Sequence, residues 1–292
     1  MKKHFLLTLS FALCATAYIC KEESCGTRKA PHANPVHQVN RRELLRVPKG
    51  LRTCAKKMKS LSMSHLDIPG DSTKYGATTL EGKIARVIKY KAIADAVEKR
   101  YNLPHNILSG MITIESTGIP MLGNSESDGG FGLIHMQPCV ARMFGLRTYK
   151  SCDSLICHEH HEELLVLIRK THGSISKMQK YDERFNPLLN IDAAGRMLAY
   201  YMAGAPKGKD PVRYALARFS GPRNAKMYYK DVNVYMKYFD DEKLIAHVAR
   251  TFNHSSPRLL INNRKANFDT FVAVHEDVCE PMIASYGKLK GV

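Results

Sequence analysis

The sequence contains no tryptophan, few acidic residues and no later apolar run of transmembrane length. Any aromatic stacking surface therefore has to come from its 14 Tyr and 10 Phe. No segment after the N-terminus approaches the roughly 20 apolar residues of a membrane-spanning helix, which argues against a membrane-embedded bundle. The chain also lacks a Walker-type phosphate loop, an H-E-x-x-H zinc motif and a nucleophilic-serine motif, so three common enzyme classes lose their usual signature.

The shortage of acidic residues gives the chain a strong positive charge. Lys and Arg number 44 against 27 Asp and Glu, for a net charge of +17 over 292 residues. Such a charge favours a polyanionic partner, which can be nucleic acid, an anionic membrane surface or an anionic cell-wall polymer. The alternative is a basic surface that is simply exposed to solvent. Net charge alone does not distinguish among these possibilities. The 44% of hydrophobic residues is enough for the core of one or two domains.

The N-terminus has the pattern of a signal peptide. Met1-Lys-Lys-His is followed by an apolar run, and Ala15-Thr16-Ala17 fits a cleavage site. We therefore predict a signal peptide over 1–17 and an exported protein; an uncleaved anchor helix is the alternative. Cys20 is a candidate for lipidation, which would anchor the chain to a membrane, although Ile19 replaces the small residue usual before a lipidated cysteine. The six cysteines beyond it can form up to three disulfides in an oxidising compartment.

Patterning along the chain predicts a mainly α fold with at most a small β-hairpin, near 119–132. Residues 18–82 are basic and interrupted by Pro and Gly, which is typical of a loosely ordered arm. Apolar periodicity begins at Ile84 and defines a body over 83–240, followed by a helical extension over 241–292 with a further helix over 268–286. The predicted helices cover 84–101, 105–115, 138–145, 159–171, 190–203, 211–219 and 223–239, with prolines near several starts.

Glu115 is the candidate catalytic residue. It ends a predominantly apolar helix and precedes a break, Ser116-Thr-Gly-Ile-Pro120, and a glycine-rich turn, Asp128-Gly-Gly-Phe-Gly. Burial against apolar neighbours raises the pKa of a carboxyl, so such a residue can act as an acid near neutral pH. A glycosidase requires an acid of this kind. A helix-terminal surface glutamate is the alternative.

Four blocks in a fixed order extend this pattern. They are Glu115-Ser116, Gly132-Leu-Ile-His-Met-Gln-Pro138, Asn190-Ile191 with Ala199-Tyr200, and Ala215-Leu-Ala-Arg-Phe-Ser-Gly221. Together they resemble the catalytic core of the soluble lytic transglycosylases, the lysozyme-like enzymes of glycoside hydrolase family 23. The resemblance covers roughly residues 84–240, and the order of the blocks is more specific than any single block.

The resemblance implies a lysozyme-like domain that cleaves the MurNAc–GlcNAc β-1,4 bond of peptidoglycan and leaves a 1,6-anhydro-MurNAc end. Glu115 would be the single acid and base, with no metal and no cofactor. It also implies a set of substrate-binding positions: Ser116, Gly132, Ile134, His135, Phe219 and Ser220. Three of these depart from the family pattern, since His135 replaces a Gln, Ile134 a Met and Phe219 a Tyr whose hydroxyl lies near the acid.

The implied partner is a peptidoglycan glycan strand in the bacterial cell envelope, with a periplasmic location or a lipid anchor at Cys20. Nucleic acid is not expected as a partner of an exported protein. Two alternatives remain open. A lysozyme-type hydrolase would need a second carboxylate roughly 6.5–9.5 Å from the acid, for which Asp128 is the candidate. A peptidoglycan-binding or envelope-assembly protein with a weakened site would explain His135 and Phe219.

The segment Cys157-His-Glu-His-His-Glu-Glu163 is rich in potential metal ligands. It lacks the H-E-x-x-H spacing of a zinc helix, and adjacent side chains on a helix point in different directions. We therefore interpret it as a solvated helix start and predict no metal site.

Overall fold

The computed structural model describes residues 40–57, 79–88, 90–150 and 157–253. This part of the chain folds into a mainly helical body. Its only β structure is an isolated antiparallel bridge between Phe131 and Met136. The prediction of a mainly α fold with at most a small β element is confirmed. The bridge lies at the C-terminal end of the predicted hairpin region, with Phe131 inside it and Met136 beyond it.

The helices are α1 (Arg41–Leu44), α2 (Leu51–Lys57), α3 (Leu80–Ile88), α4 (Lys91–Tyr101), α5 (Ile107–Glu115), α6 (Pro138–Met143), α7 (His158–Lys170), α8 (Ile175–Met178), α9 (Pro187–Ala203), α10 (Pro211–Ser220), α11 (Ala225–Asp240) and α12 (Glu242–Asn253). A short 3-10 turn, Glu183–Phe185, precedes α9. The predicted helix over 84–101 is two helices, α3 and α4. The others lie where the apolar pattern placed them, with ends shifted by a few residues.

Two helix starts show how local chemistry sets those ends. Proline occupies the first turn of α9 and of α10, where its missing N–H has no intrahelical partner to lose. The side chain of Asn186 accepts the N–H of Leu189 at 3.1 Å, and Asp210 accepts that of Val212 at 2.9 Å. The Asn186 cap starts α9 at Pro187, three residues before the predicted start at 190, and the Asp210 cap starts α10 at the predicted Pro211.

Helices α5 and α9 form the centre of the core. Ile107, Leu108, Met111 and Ile112 of α5 are fully buried, and α9 is buried along almost its whole length. Helix α5 packs against α3, α4 and α11. Burial of each such apolar side chain contributes roughly 1.5–3 kcal/mol. The core therefore fixes the position of the C-terminal end of α5, where Glu115 lies.

Helices α5 and α11 approach each other closely at Gly110. A β-carbon at this position would lie 2.9 Å from the backbone oxygen of Val232 on α11. Tyr228 lies about one turn before Val232, and Glu115 lies just over one turn after Gly110. The close approach therefore brings Tyr228 and Glu115 to the same end of the helix pair.

The segment 40–57 belongs to the helical body. Leu44 is 3% and Ala55 is 1% exposed, and the buried Arg196 of α9 donates to the Leu44 carbonyl at 3.0 Å. The prediction of a loosely ordered arm over 18–82 is therefore wrong for residues 40–57. Helices α1 and α2 are too short to show apolar periodicity, yet their few apolar side chains reach the core.

The signal peptide over 1–17, Cys20 and the helix over 268–286 are predictions that lie outside the described residues. The described part of the extension over 241–292 is α12, whose Val248 is 1% exposed and belongs to the main core. Cys54 and Cys157 are each disulfide-bonded. None of the helices in the described ranges is long and apolar enough to cross a membrane.

Candidate active site

Glu115 is the last residue of α5, and 15% of its side chain is exposed. Burial raises the pKa of its carboxyl from 4.5 to about 7, and the negative charges of Asp128 and Glu126 act in the same direction. The C-terminal end of a helix also disfavours an anion, and the last turn of α5 has no basic residue to offset this. Glu115 can therefore hold a proton near neutral pH, as a general acid must.

Tyr228 of α11 lies against one side of Glu115. Its hydroxyl acts as a donor toward the carboxyl and lowers the pKa of Glu115, while burial and the nearby carboxyl raise the pKa of Tyr228 well above its ordinary value. The hydroxyl is buried, and its contact with the carboxyl is too long or too oblique to form a hydrogen bond in this structure. Such contacts are often long in the absence of substrate and tighten when it binds.

Phe219 packs on the ring of Tyr228, with 5.5 Å between the ring centroids. The resemblance left Phe219 without the hydroxyl that its family counterpart places near the acid. In the structure Tyr228 supplies a hydroxyl beside Glu115, and Phe219 supports the ring that carries it. Tyr228 was not predicted from the sequence, because this residue lies beyond Gly221, the end of the last block that resembles the family. Its only signal was an aromatic residue in the first turn of the next helix.

His135 lies against the other side of Glu115. Its Nε2 is 3.0 Å from the carbonyl oxygen of Leu122, and its Nδ1 is 3.5 Å from Oε2 of Glu115. Burial lowers the pKa of His135 to about 4. The ring is therefore neutral near pH 7. The structure brings two separately predicted site residues, Glu115 and His135, together.

Asp128 organises the glycine-rich turn from within. Its Oδ1 accepts hydrogen bonds from the Gly130 N–H, at 3.0 Å, and from the Asn124 side chain. Its Oδ2 accepts from Nε2 of Gln137 at 2.7 Å. Because both oxygens are engaged inside the turn, this arrangement supports a turn-forming role for Asp128 rather than the activation of a water molecule.

Arg184 holds the same turn from the protein interior. Its Nη1 donates to the carbonyls of Gly129, at 2.6 Å, and Met136, at 2.8 Å. Its Nε and Nη2 donate to the Asp182 carboxylate, and the side chains of this ion pair are fully buried. Nothing in the local sequence distinguishes this buried ion pair from an ion pair at the surface, so its role could not be predicted.

The histidines at the start of α7 also support the turn. Nη2 of Arg184 lies 2.9 Å from Nε2 of His160, and an arginine only donates, so this nitrogen is the acceptor of a neutral ring. His161 packs on Phe131 with 4.7 Å between the ring centroids. His160 and His161 are 5% and 3% exposed. The interpretation of 157–163 as a solvated helix start is therefore wrong for these two residues.

Asn190 of α9 fixes the part of the turn that carries His135. Its Oδ1 accepts the N–H of Ile134 at 2.8 Å, and its Nδ2 donates to the Ile134 carbonyl at 3.4 Å. Gly132 has φ +93°, and a β-carbon on it would lie 2.5 Å from Asn190 and 2.6 Å from the Arg184 carbonyl. Gly132 is therefore required by the packing of the turn on α9.

The two predicted serines lie at helix ends. Ser116 is fully buried and its Oγ donates to the Ile112 carbonyl at 3.3 Å. Oγ of Ser220 donates to the Leu216 carbonyl at 3.0 Å. Both hydroxyls are thus directed back into their own helices. Contact of either one with a substrate stays a prediction, and it requires the hydroxyl to rotate.

One group of potential metal ligands occurs in the described part of the chain, and it lies away from this site. Ligand atoms of Asp95, Glu98 and His105 lie within 4.8 Å of one another. Lys91 already donates to Asp95 at 2.7 Å, and both oxygens of Glu98 accept backbone N–H groups. The group is therefore well explained as an ion-pair and capping network.

The site thus consists of one partly exposed carboxyl with a raised pKa, a phenol on one side and a neutral imidazole on the other. Such an arrangement can donate a proton to a substrate oxygen and take one back. No protein-family model, curated protein or solved structure matches the chain.

Proposed function

We propose that this protein is an exported peptidoglycan lytic transglycosylase that cleaves the MurNAc–GlcNAc β-1,4 bond, with Glu115 as its single acid and base. The observation that carries the proposal is the carboxyl of Glu115, which is buried enough to hold a proton near pH 7 and open enough to reach a substrate. The four blocks that resemble the family surround this carboxyl or hold the residues that do.

The proposed chemistry needs no second carboxylate and consumes no water. Protonated Glu115 gives its proton to the glycosidic oxygen, and the bond from that oxygen to the anomeric carbon of MurNAc breaks. The 6-hydroxyl oxygen of the same MurNAc then bonds to the anomeric carbon, and its proton goes to the Glu115 carboxylate. The acid is thereby restored, and the product carries a 1,6-anhydro ring.

The pKa of Glu115 suits this cycle. One residue has to donate a proton in the first step and accept one in the second, and a pKa near the working pH favours both. Tyr228 stabilises the carboxylate between the two steps, because its nearby hydroxyl lowers the pKa of Glu115 and so favours the ionised form.

A lysozyme-type hydrolase is the second candidate, with Asp128 as the base that activates water. The hydrogen bonds of both Asp128 oxygens favour the transglycosylase. A peptidoglycan-binding protein with a weakened site is the third candidate. Its support was the replacement of two family residues, by His135 and by Phe219. Tyr228 provides a hydroxyl near Glu115 in place of the one that Phe219 lacks.

Muropeptide analysis separates these candidates. Purified protein is incubated with peptidoglycan sacculi, and the soluble fragments are identified by mass spectrometry before and after borohydride reduction. We expect fragments with 1,6-anhydro ends, which borohydride leaves unchanged. Reducible MurNAc ends would show a hydrolase, and binding of sacculi without soluble fragments would show a binding protein. Either result would overturn the proposal.

A further inference from the structure

The contact of His135 with the Leu122 carbonyl determines which ring nitrogen carries the proton. A carbonyl oxygen only accepts hydrogen bonds, so the contact between Nε2 and the Leu122 carbonyl places the proton of the neutral ring on Nε2. Nδ1 then carries a lone pair and no proton. That lone pair lies 3.5 Å from Oε2 of Glu115.

We infer that His135 is a positioning residue that keeps Glu115 protonated by presenting an unprotonated Nδ1 to its carboxyl. Two acceptors that face each other repel unless a proton lies between them. The contact is therefore favourable when Glu115 is a neutral acid that donates to Nδ1, and unfavourable when Glu115 is a carboxylate.

A glutamine at this position would act differently. Its amide carries two N–H donors, and donation to the carboxylate would favour the ionised form of Glu115. His135 therefore works against ionisation at the point where the family residue is able to support it. In the proposed function, on which this part of the inference rests, His135 also promotes the return of the proton to Glu115 at the end of the cycle.

The surrounding charged groups do not reverse this assignment. From the turn, Asp128 and Glu126 raise the pKa of Glu115, and from α11 Tyr228 lowers it. Around His135, burial has the largest effect and lowers its pKa, Asp128 raises it, and His161 and Arg184 lower it. The Leu122 carbonyl also raises it, but the ring remains neutral down to about pH 4.

The backbone holds the imidazole in this orientation. The N–H and carbonyl of Ile134, directly before His135, are both bound by Asn190. The Met136 carbonyl, directly after it, accepts from Arg184. The side chain of His135 is 6% exposed, so a flipped ring would leave Nε2 and the Leu122 carbonyl without their contact inside the protein.

Nitrogen NMR tests the tautomer without any assay of activity. The protein is labelled with ¹⁵N-histidine, and the His135 signals are assigned by their loss in His135→Gln. We expect a protonated Nε2 and an unprotonated Nδ1 at pH 7, with no charge on the ring until the pH approaches 4. A proton on Nδ1 at pH 7, or a ring that is charged at pH 6, would overturn the inference even if the enzyme cleaves peptidoglycan.

The pH dependence of His135→Gln tests the effect on Glu115. We expect the midpoint of the ¹³C-carboxyl titration of Glu115 to fall by about one pH unit, since a neutral hydrogen bond and a pKa unit are of similar size. Where cleavage is measurable, the alkaline limb of the pH–rate profile moves down equally. His247→Gln, an exposed histidine on α12, is the matched control and leaves both unchanged. An unchanged or raised Glu115 midpoint in His135→Gln would contradict the inference.

Discussion

A buried glutamate carboxyl lies at each end of α5, and the two differ in what contacts their oxygens. At the N-terminal end, Glu98 is 2% exposed and accepts the backbone N–H groups of Asn106 and Leu108, both at 2.8 Å. At the C-terminal end, Glu115 is more open and faces side chains, Tyr228 and His135, rather than backbone donors. Burial raises the pKa of both carboxyls to about 7.

The comparison shows that a raised pKa does not by itself identify a catalytic acid. The oxygens of Glu98 satisfy N–H groups of the first turn of α5, which would otherwise be buried without a partner, so Glu98 is a helix cap. Glu115 caps nothing, and a proton on its carboxyl can be passed to a ligand. The helix cap and the candidate acid are therefore distinguished by the hydrogen-bond partners of their carboxyl oxygens and by the exposure of these oxygens to solvent.

The largest expected effect is on catalysis. Glu115→Gln removes the proton donor and should lower peptidoglycan cleavage by about 10²–10⁴-fold, the usual contribution of general acid–base catalysis. Glu98→Gln is the matched control, because it makes the same chemical change at the other end of α5. It should retain cleavage well below its melting temperature. Equal losses of peptidoglycan cleavage in the two variants would contradict the assignment of Glu115 as the acid and Glu98 as a helix cap.

The next effect is on stability at alkaline pH. An unfolded Glu115 ionises near pH 4.5 and the folded one near pH 7, so stability falls as the pH rises from 4.5 to 7. The difference corresponds to about 3 kcal/mol. Glu115→Gln lacks this penalty and should exceed the wild type by up to about 3 kcal/mol at pH 8, with no gain at pH 4. Urea unfolding at the two pH values measures this, and a gain that is independent of pH would be inconsistent with a buried titrating acid.

Glu98→Gln should lower the stability at low pH, where Glu115→Gln leaves it unchanged. An amide offers one acceptor oxygen, so one of the N–H groups of Asn106 and Leu108 loses its partner. A buried donor without a partner costs about 1–3 kcal/mol. Urea unfolding at pH 4, where neither carboxyl is ionised in the folded protein, should show this loss for Glu98→Gln and no loss for Glu115→Gln.

The smallest effect concerns the donor beside Glu115. Tyr228→Phe removes the hydroxyl that favours the ionised carboxyl, so the pKa of Glu115 should rise, by up to about one unit. The alkaline limb of the pH–rate profile then moves to higher pH, opposite to the shift expected for His135→Gln. Tyr235→Phe, on the same helix, serves as the control. A downward shift in Tyr228→Phe would show that the hydroxyl does not act as a donor to Glu115.

The sequence predicted the features of this site that depend on local pattern. Apolar periodicity placed α5 and its terminal Glu115, and the glycines marked the turn that carries His135. Contacts between distant segments were not predictable in this way. Arg184 binds the carbonyls of Gly129 and Met136, and Asn190 binds the backbone of Ile134, in each case about 50 residues away along the chain. The approach of Tyr228 to Glu115 likewise joins two helices that are far apart in the sequence. Arginine side chains usually lie at the protein surface, so the full burial of Arg184 was not expected from the sequence.

The packing of the segment 40–57 on the helical body was not predicted, for a related reason. Helix α1 contributes one apolar side chain, Leu44, and α2 contributes Leu51, Cys54 and Ala55. A basic segment with scattered apolar residues is typical of a linker. These residues pack because α9 and its flanking turn offer a surface and partners for them, including Glu183, which pairs with Arg52 at 2.9 Å.

The most direct test of the account is the pKa of Glu115 itself. The ¹³C-carboxyl signals of ¹³C-glutamate-labelled protein are followed from pH 3 to pH 9, and the Glu115 signal is assigned by its absence in Glu115→Gln. The account predicts a midpoint near 7 for Glu115. A midpoint at or below 4.5, the ordinary value for a solvated glutamate, would show an ionised carboxylate at neutral pH and would contradict its role as the acid.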